Sequence, residues 1–350
     1  MNIPALKYPI TCCLLVILLP IRQIPAEQRE YFLPRPSTEK YVVILTGAPA
    51  EEKHAQRFHD WSLRLVDVLT SSYGYRSDHI TLLLGKGDPM ESRVSGPCRK
   101  ESIIETLNNL AATTKPGDQI LFFLIGHGTS NEAGAKFNIV GPDITGEAFA
   151  QLLDAFSQRD IIVINTTGAS HPFCAALSAP GRVIISATRS RAEKYDTVFA
   201  PYFIEALENR RADRDKNTRL SMWEAFHYAK QRIEKWYTDQ DRIPSEHPTL
   251  DDNGDALLNI QPEPTKNDGR LAQIAYLDVL PKTSSLGGTA EGSVSPVVIE
   301  LTTRVHELER AVFLLRNRKA EIAAAEYKKQ METLLIDLAK TSRDLRKIQN

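Results

Sequence analysis

Residues 119–129 read QILFFLIGHGT, and this stretch decides how the chain folds. The run Gln119–Ile125 is apolar after its first position, which is typical of a strand buried on both faces of a parallel sheet. Gly126-His127-Gly128 ends the run and presents an imidazole at its carboxyl end, where α/β sheets bind their ligands. His127 is therefore a candidate acid or base, although such a sequence is also compatible with a tight turn.

Four other short apolar runs have the same character, and segments with helical spacing separate them. The predicted strands are Tyr41–Gly47, Ile80–Leu84, Ile161–Asn165 and Val183–Ala187. The predicted helices are His54–Tyr73, Lys100–Ala112 and Gly146–Phe156. Strands that alternate with helices predict a doubly wound, mostly parallel α/β sheet with helices on both faces.

A second set of polar residues follows the predicted strand Ile161–Asn165. This loop reads Thr166-Thr167-Gly168-Ala169-Ser170-His171 and offers hydroxyl groups and another imidazole. Because the carboxyl ends of parallel strands meet at one edge of a sheet, we expect this loop to lie near His127. Two polar loops at one edge indicate a site more strongly than either loop alone.

These features resemble the caspase/legumain class of cysteine peptidases, and the legumain-like family is the closer match. The resemblance covers residues 40–237. The segments that carry it are Gly126-His127-Gly128, Pro142-Asp143-Ile144-Thr145, Ile161–Asn165, Ile184–Arg189 and Arg191–Tyr195. It implies a caspase/legumain-like fold, a catalytic role for His127, an oxyanion-binding backbone at Gly126 and Gly128, and a peptide or protein as ligand.

The sequence departs from that family at the nucleophile. The resemblance places the family's cysteine at Thr167, and Cys174, seven residues further on, is a poor substitute. A cysteine beside a histidine ionises readily, whereas a threonine hydroxyl is far less acidic and needs a base during attack. We therefore predict a non-catalytic homologue. The alternative is an active hydrolase in which His127 works with Thr167 or Ser170.

The early loop of legumain-like enzymes contributes charge to the specificity pocket. The segment Glu51–Arg57 corresponds to that loop, and either Lys53 or Arg57 could serve. A solvated, charged start of a helix explains the same residues.

Residues 213–224 have the ligand spacing of a calcium-binding EF-hand loop, between the predicted helices Phe199–Asn209 and Met222–Tyr237. The candidate ligands are the side chains of Asp213, Asp215, Asn217, Ser221 and Glu224 and the carbonyl of Arg219. Thr218 stands where EF-hands have a glycine, and the basic residues of the loop dilute its negative charge. Calcium binding and a metal-free helix–loop–helix both remain open.

The composition changes after residue 262. Residues 263–296 begin with a proline-rich stretch and end with one rich in glycine and serine, which predicts a linker after a domain at 27–262. Residues 297–350 contain no proline or glycine and carry a heptad-like apolar stripe that a polar cluster at 316–319 interrupts. We interpret them as a helical hairpin, rather than one bent helix, that serves packing or self-association.

The first 26 residues are unlike the rest of the chain. Cys12–Ile21 is apolar, Ala26 offers a small residue for cleavage, and polar residues follow, as in a secretory signal peptide. The run is shorter than the roughly 20 residues that span a bilayer. We predict an exported protein, periplasmic or secreted, without stable membrane insertion once residues 1–26 are removed.

The remaining composition is that of a globular protein, with 42% hydrophobic and 25% charged residues among 350. The net charge is −1, so no broad basic field favours a nucleic-acid partner. Beyond the predicted signal peptide only Cys98 and Cys174 remain, and we expect buried free thiols. Three functions stay open: a non-catalytic peptide- or protein-binding homologue, a hydrolase, and a structural protein acting through its C-terminal helices.

Overall fold

The computed structural model describes residues 29–132, 134–281 and 294–349. The predicted signal peptide lies outside the described residues, as does the glycine- and serine-rich stretch 282–293. From Tyr31 onward the described residues group into one compact unit.

A six-stranded sheet forms the centre of this unit. The strands of the chain are β1 (Lys40–Thr46), β2 (Ile80–Leu84), β3 (Gln119–Ile125), β4 (Gly128–Asn131), β5 (Gly134–Phe137), β6 (Ile144–Thr145), β7 (Asp160–Asn165), β8 (Arg182–Ser186) and β9 (Thr249–Asp251). The central sheet has the order β2-β1-β3-β7-β8-β9, in which β9 alone runs antiparallel to its neighbour. The strands β4, β5 and β6 make a small antiparallel sheet.

Helices cover both faces of the central sheet. They are α1 (Glu52–Tyr73), α2 (Lys100–Thr113), α3 (Gly146–Leu153), α4 (Ser170–Ala176), α5 (Phe199–Glu208), α6 (Met222–Asp239), α7 (Pro296–Asn317) and α8 (Ala324–Gln349). Alternate residues of each strand enter two separate cores, one against α1, α5 and α6 and the other against α2, α3 and α4. The predicted class, a mostly parallel α/β sheet with a C-terminal helical hairpin, is confirmed.

The sheet contains one strand, β9, that was not predicted from the sequence, and two buried acidic residues lie at its end. Asp251 ends β9, and Asp251 and Asp252 are both buried, whereas the pattern 251–255 is that of a solvated turn. The Asp252 carboxylate accepts the backbone N–H groups of Gly269 and Ala272, each at 2.8 Å. These two backbone donors offset the cost of burying the Asp252 carboxylate.

The packed unit also extends beyond the predicted boundary at residue 262. Ala272, Ala275 and Leu277 are fully buried in the same core as α6, so 263–281 is not a linker in the structure. The Met222 N–H donates to the Ala275 carbonyl at 2.9 Å, which fixes the segment to the start of α6. The proline-rich composition marks turns within the domain rather than its end.

The two helices of the C-terminal hairpin differ in burial. α7 buries eight side chains, among them those of Glu309 and Arg310, whereas α8 buries none among its described residues. The Arg310 guanidinium donates to the Tyr31 carbonyl at 2.9 Å. Thus α7 belongs to the compact unit and α8 lies against it as an outer layer. Among the described residues, no helix is both long and apolar enough to cross a membrane.

Candidate functional site

The strand order creates a topological switch point between β1 and β3 at the carboxyl edge of the sheet. From β1 the chain proceeds to β2 on one side, and β3 then lies on the other. Loops that leave the two strands at such a point diverge and open a crevice where α/β sheets bind ligands. His127 follows β3 directly, and His54 lies in the first turn of α1, after β1.

Two glycines allow His127 to occupy this crowded edge. Gly126 has φ of +147°, and a Cβ there would lie 3.2 Å from the Gly47 nitrogen. A Cβ on Gly128 would lie 2.5 Å from both the Gly168 carbonyl and the Thr167 hydroxyl. The backbone therefore passes between its neighbours only without side chains on either side of His127. The loop that contains His127 and the loop after β7 are therefore close together, as predicted from the sequence.

The imidazole of His127 is held on one side and free on the other. Its Nδ1 lies 3.1 Å from Oδ1 of Asp196, in the loop between β8 and α5. Its Nε2 is buried and has no hydrogen-bond partner among the described residues. The ring packs edge-on against Phe58 and His54, with centroids 5.2 and 4.7 Å away. Burial lowers the pKa of His127, and the charge of Asp196 opposes that shift.

His54 is a second imidazole in the same place. It is 5% exposed, and its Nε2 lies 3.0 Å from Oδ2 of Asp196. Neither of its ring nitrogens has a well-directed hydrogen bond to a described residue. Arg57, one helical turn along α1, brings its guanidinium within 3.7 Å of the same carboxylate oxygen. His54, His127 and Asp196, which we call the histidine cluster, are the convergent polar groups of the crevice.

Thr167, at the expected nucleophile position, is engaged elsewhere. Its hydroxyl donates to Oδ1 of Asn165 at 2.8 Å, and its N–H donates to the same oxygen at 3.0 Å. The side chain is 1% exposed. Thr167 thus lies near Gly128 but shares no hydrogen bond with His127, because the Asx-type turn after β7 orients the hydroxyl away.

Ser170 begins α4 and faces the interior. Its hydroxyl lies within hydrogen-bonding distance of the hydroxyls of Ser186, at 2.9 Å, and Thr188, at 3.1 Å. Ala169 before it adopts a left-handed conformation, with φ of +53°, which turns the chain from the loop into the helix. The Ser170 hydroxyl is therefore part of a buried hydrogen-bond network at the carboxyl end of β8.

Cys98 and Cys174, the two cysteines among the described residues, are free and buried as expected from the sequence. Burial raises the pKa of the Cys98 thiol to about 12 and also raises that of Cys174. The Cys174 sulfur lies 3.8 Å from the Ile185 carbonyl. Because the thiolate is the reactive form, neither residue is an activated nucleophile near neutral pH.

The early loop contributes one of its two candidate cations to the crevice. Lys53 is exposed and pairs with Glu51 at 2.8 Å. Arg57 is the residue that reaches the histidine cluster. Two cluster members, His54 and Asp196, are functional candidates that the sequence analysis did not name. His54 lies in the first helical turn after one strand, and Asp196 lies in the loop after another. Their positions after strands of the sheet are the sequence feature that could have identified them.

The EF-hand-like loop lies between α5 and α6, the two helices expected on its flanks. Its carboxylates accept backbone N–H groups of the loop itself. Oδ2 of Asp213 accepts the N–H of Thr218 at 3.0 Å, and Oδ1 of Asp215 accepts that of Asn217 at 3.1 Å. Thr218 has φ of +72°, the left-handed conformation that explains the glycine preference at this position.

Glu224, the expected bidentate ligand, accepts four hydrogen bonds. Its Oε1 accepts the N–H groups of Arg214 at 2.9 Å and Asp215 at 3.3 Å. Its Oε2 accepts the N–H and hydroxyl of Ser221 at 3.0 and 2.8 Å. Ser221 and Glu224 form a capping box at the start of α6. The loop is thus closed by its own donors around this carboxylate.

Three carboxylates nevertheless converge in the loop. Asp213, Asp215 and Glu224, which we call the acidic cluster, bring one oxygen each within 4.8 Å of the others. Asp213 is 9% exposed, and its Oδ1 has no hydrogen-bond partner among the described residues. Burial and the nearby Glu224 raise the pKa of Asp215 to about 6. A cation would relieve this concentration of negative charge.

The side chain of Arg219 does not point into the loop. Its guanidinium lies 3.1 Å from Asp278 and 3.0 Å from Glu309 of α7, and it stacks over Tyr276. Burial opposes ionisation, yet Arg219 and Lys40 hold the pKa of Asp278 below its usual range. Arg219 therefore fastens the loop to α7, and only its carbonyl remains available as the predicted ligand.

No known family model matches the sequence, and no curated protein matches it as a relative. Several solved structures are similar in fold. One is protein GSU0716 from Geobacter sulfurreducens, at 10% identity and a TM-score of 0.39, over 61% of this chain and 92% of that chain.

Two others are caspases. The Drosophila initiator caspase Dronc is 10% identical over 62% of this chain and 80% of its own, with a TM-score of 0.39. drICE is 11% identical over 66% and 94%, with a TM-score of 0.40. Similarity at this level says nothing about activity.

Proposed function

We propose that this chain is a non-catalytic homologue of the legumain-like cysteine peptidases and binds a peptide or protein. The observation that carries the proposal is the state of His127. Its Nε2 has no hydroxyl or thiol within hydrogen-bonding distance among the described residues. Nucleophilic catalysis needs a nucleophile in hydrogen-bond reach of its base, which the hydroxyls of Thr167 and Ser170 do not provide.

An open cavity beside the crevice supports the binding half of the proposal. It has a volume of about 550 Å³ and lies at the carboxyl ends of β1 and β2. Its lining combines apolar groups, such as Phe58 and Val140, with polar ones, such as Gln56 and Asp88. Cavities of this size and mixed lining accommodate small ligands or the side chains of a bound peptide.

The catalytic half is tested with reporter peptides containing asparagine, aspartate or arginine at the cleavage position. We expect no turnover above the rate without protein, the same result for His127→Ala, and no labelling by thiol-directed probes. Turnover that disappears in His127→Ala would overturn the proposal. Thr167→Cys restores the family's thiol at the matching position, and labelling of this variant tests whether His127 can still activate a thiol there.

The binding half is tested with peptides selected from a displayed library and then measured by calorimetry. Ala55 lines the cavity, so Ala55→Arg should abolish binding by filling it. Ala112→Arg, an equal change on the exposed face of α2, is the matched control and should leave the affinity unchanged. Equal effects of the two substitutions would exclude the cavity as the binding site.

A hydrolase is the second candidate, and the contact between His127 and Asp196 favours it. A carboxylate 3.1 Å from Nδ1 orients an imidazole as in a general base. In that function Thr167 or Ser170 must turn towards Nε2 when substrate binds. Turnover lost in both Asp196→Asn and Thr167→Val, or in Asp196→Asn and Ser170→Ala, would establish it.

Self-association through α8 is the third candidate. Leu335 and Ile336 are 44% and 46% exposed on a helix that buries no described side chain. We propose that this face meets a second copy of the chain. Light scattering should show an oligomer that Leu335→Glu converts to a monomer, and a monomeric wild-type chain would exclude it.

We also propose that the protein is exported and that its acidic cluster binds calcium weakly. The apolar run before Ala26 supports the first proposal. Sequencing the mature protein from its host should find Glu27 at the N-terminus, and an intact Met1 would contradict export. The Asp213 oxygen without a partner among the described residues supports the second.

A further inference from the structure

We propose that the histidine cluster is a binding site for a divalent transition-metal ion, with Zn²⁺ the best match. One ligand atom from each of His54, His127 and Asp196 lies within 4.8 Å of the other two. Nε2 of His54 lies 3.0 Å from Oδ2 of Asp196, and Nδ1 of His127 lies 3.1 Å from Oδ1. Tetrahedral zinc with bonds of about 2.0–2.2 Å separates its ligands by roughly 3.4 Å, so these two nitrogen–oxygen pairs need only small shifts.

The unpartnered nitrogens of His54 are the independent observation that points to a ligand. The residue is 5% exposed, and neither nitrogen has a well-directed hydrogen bond to a described group. Buried polar atoms are almost always hydrogen-bonded, and each exception needs an explanation. Nε2 lies close to the Asp196 carboxylate but does not direct a hydrogen bond at it. A shared metal ion would use both atoms at once.

The chemistry of the donors selects the class of metal. Imidazole nitrogen is a ligand for zinc and neighbouring transition metals, whereas calcium and magnesium prefer oxygen ligands throughout. Two histidines and one carboxylate leave a fourth position open for water or for an atom of a bound molecule. The Asp196 side chain is 50% exposed, so an ion can enter from solvent.

One neighbouring charge opposes metal binding. The Arg57 guanidinium lies 3.7 Å from Oδ2 of Asp196 and competes for the carboxylate. Removing that charge should therefore tighten metal binding. The proposal is independent of peptide binding and of the absence of turnover, since it depends on the three cluster side chains alone.

The experiment is a zinc titration of the full-length protein against a chromophoric chelator. We expect one zinc per chain at micromolar affinity or better, and millimolar calcium should not compete. Asp196→Asn and His127→Gln should each weaken zinc binding at least tenfold, because loss of even outer-shell partners has effects of that size. Arg57→Gln should strengthen it.

The matched control is His59→Gln. His59 also lies on α1 and also has a carboxylate nearby, 3.7 Å away on Asp88, but it is outside the cluster. Its zinc affinity should equal that of the wild type. Asp196→Asn is the decisive variant because the side chain is half exposed, and a melting curve confirms that it folds. Zinc affinity unchanged in Asp196→Asn, or no binding of zinc to the wild type at about 100 µM, would overturn the proposal.

Discussion

The histidine cluster and the acidic cluster both gather metal-binding side chains, but they satisfy them differently. In the acidic cluster Glu224 accepts four hydrogen bonds, and Asp213 and Asp215 accept loop N–H groups. In the histidine cluster, three of the four ring nitrogens have no hydrogen-bond partner in the part of the chain that the structure describes. The convergence of such side chains therefore does not by itself distinguish a ligand-binding site from a cluster that only stabilises the fold. The two cases differ in how many backbone N–H groups donate to the converging side chains.

The distance along the chain explains the contrast. The members of the acidic cluster fall within twelve residues, so the backbone of their own loop can reach them. His54, His127 and Asp196 come from three separate segments at the edge of the sheet. Among the described residues, no backbone group of these segments forms a hydrogen bond with either His54 nitrogen or with Nε2 of His127.

The largest expected effect is the loss of stability when the Glu224 carboxylate is removed from the acidic cluster. Glu224→Ala removes the partner of four donors in a buried position, which should lower the free energy of unfolding by roughly 3–5 kcal/mol. Asp196→Ala, in the half-exposed part of the histidine cluster, should change it by less than about 1 kcal/mol. Urea unfolding measures both.

Glu234→Ala is the control for that prediction. Glu234 lies on the same helix as Glu224 but is 61% exposed, so its removal should change the free energy of unfolding by about 0.5 kcal/mol or less. If Glu224→Ala and Asp196→Ala destabilise the protein equally, the contrast between the clusters does not hold.

Glu246 is intermediate between the two clusters, because only one of its carboxylate oxygens has a hydrogen-bond partner among the described residues. It predicts that the free energy of unfolding depends on pH. Its Oε1 accepts the Val198 N–H and the Tyr237 hydroxyl, whereas Oε2 has no partner among the described residues. Burial, together with the nearby Glu193, raises its pKa from 4.5 to about 7. The native state therefore holds this proton more tightly than the unfolded chain. The contribution to stability is largest at low pH and is lost as the pH rises from about 4.5 to 7.

The size of that contribution is up to about 3 kcal/mol, at 1.36 kcal/mol per pKa unit. Glu246→Gln mimics the protonated form, so it should be more stable than the wild type above pH 7 and indistinguishable from it near pH 4. Unfolding titrations across this range compare the two. A parallel pH dependence in both proteins would show that the pKa of Glu246 is the same in the native and unfolded states.

The smallest expected effect is stabilisation by calcium. An affinity of about 10⁻⁴–10⁻³ M, typical of weak extracellular sites, gives about 1–2 kcal/mol at 5 mM Ca²⁺. The melting temperature should therefore rise by a few degrees relative to EGTA. The melting temperature of Glu224→Gln should be the same in calcium and in EGTA. The melting temperature of Asp196→Asn should rise with calcium as much as that of the wild type. If calcium does not change the melting temperature of the wild type, the backbone N–H groups of the loop stabilise the acidic cluster without a bound ion.

The sequence predicts the strands closely where an apolar run is nearly continuous. Ile80–Leu84 and Gln119–Ile125 have the predicted bounds, because such runs fit a sheet that helices cover on both faces. The three residues of β9 are too short for a periodic pattern and owe their conformation to pairing with β8. Such pairing depends on tertiary contacts that local sequence does not encode.

The sites follow the same rule. His127 is identifiable because glycines and a strand mark it locally, whereas its partner Asp196 is 69 positions away and is placed by the fold. Ser221 and Glu224 carry a local signal of a different kind. Their spacing is that of a capping box, which coincides with the last positions of an EF-hand loop. One pattern thus supports two physical interpretations.

The hydrogen bond from Arg310 to the Tyr31 carbonyl joins positions 279 apart and has a consequence for biosynthesis. The ribosome makes the chain from its N-terminus, so the segment before β1 must wait for α7 to be synthesised before it can reach its final packing. Arg219 likewise waits for Glu309, 90 positions later. Contacts of such long sequence separation slow folding. We expect nascent chains stalled before residue 296 to remain protease-sensitive, and completed chains to become resistant only after release.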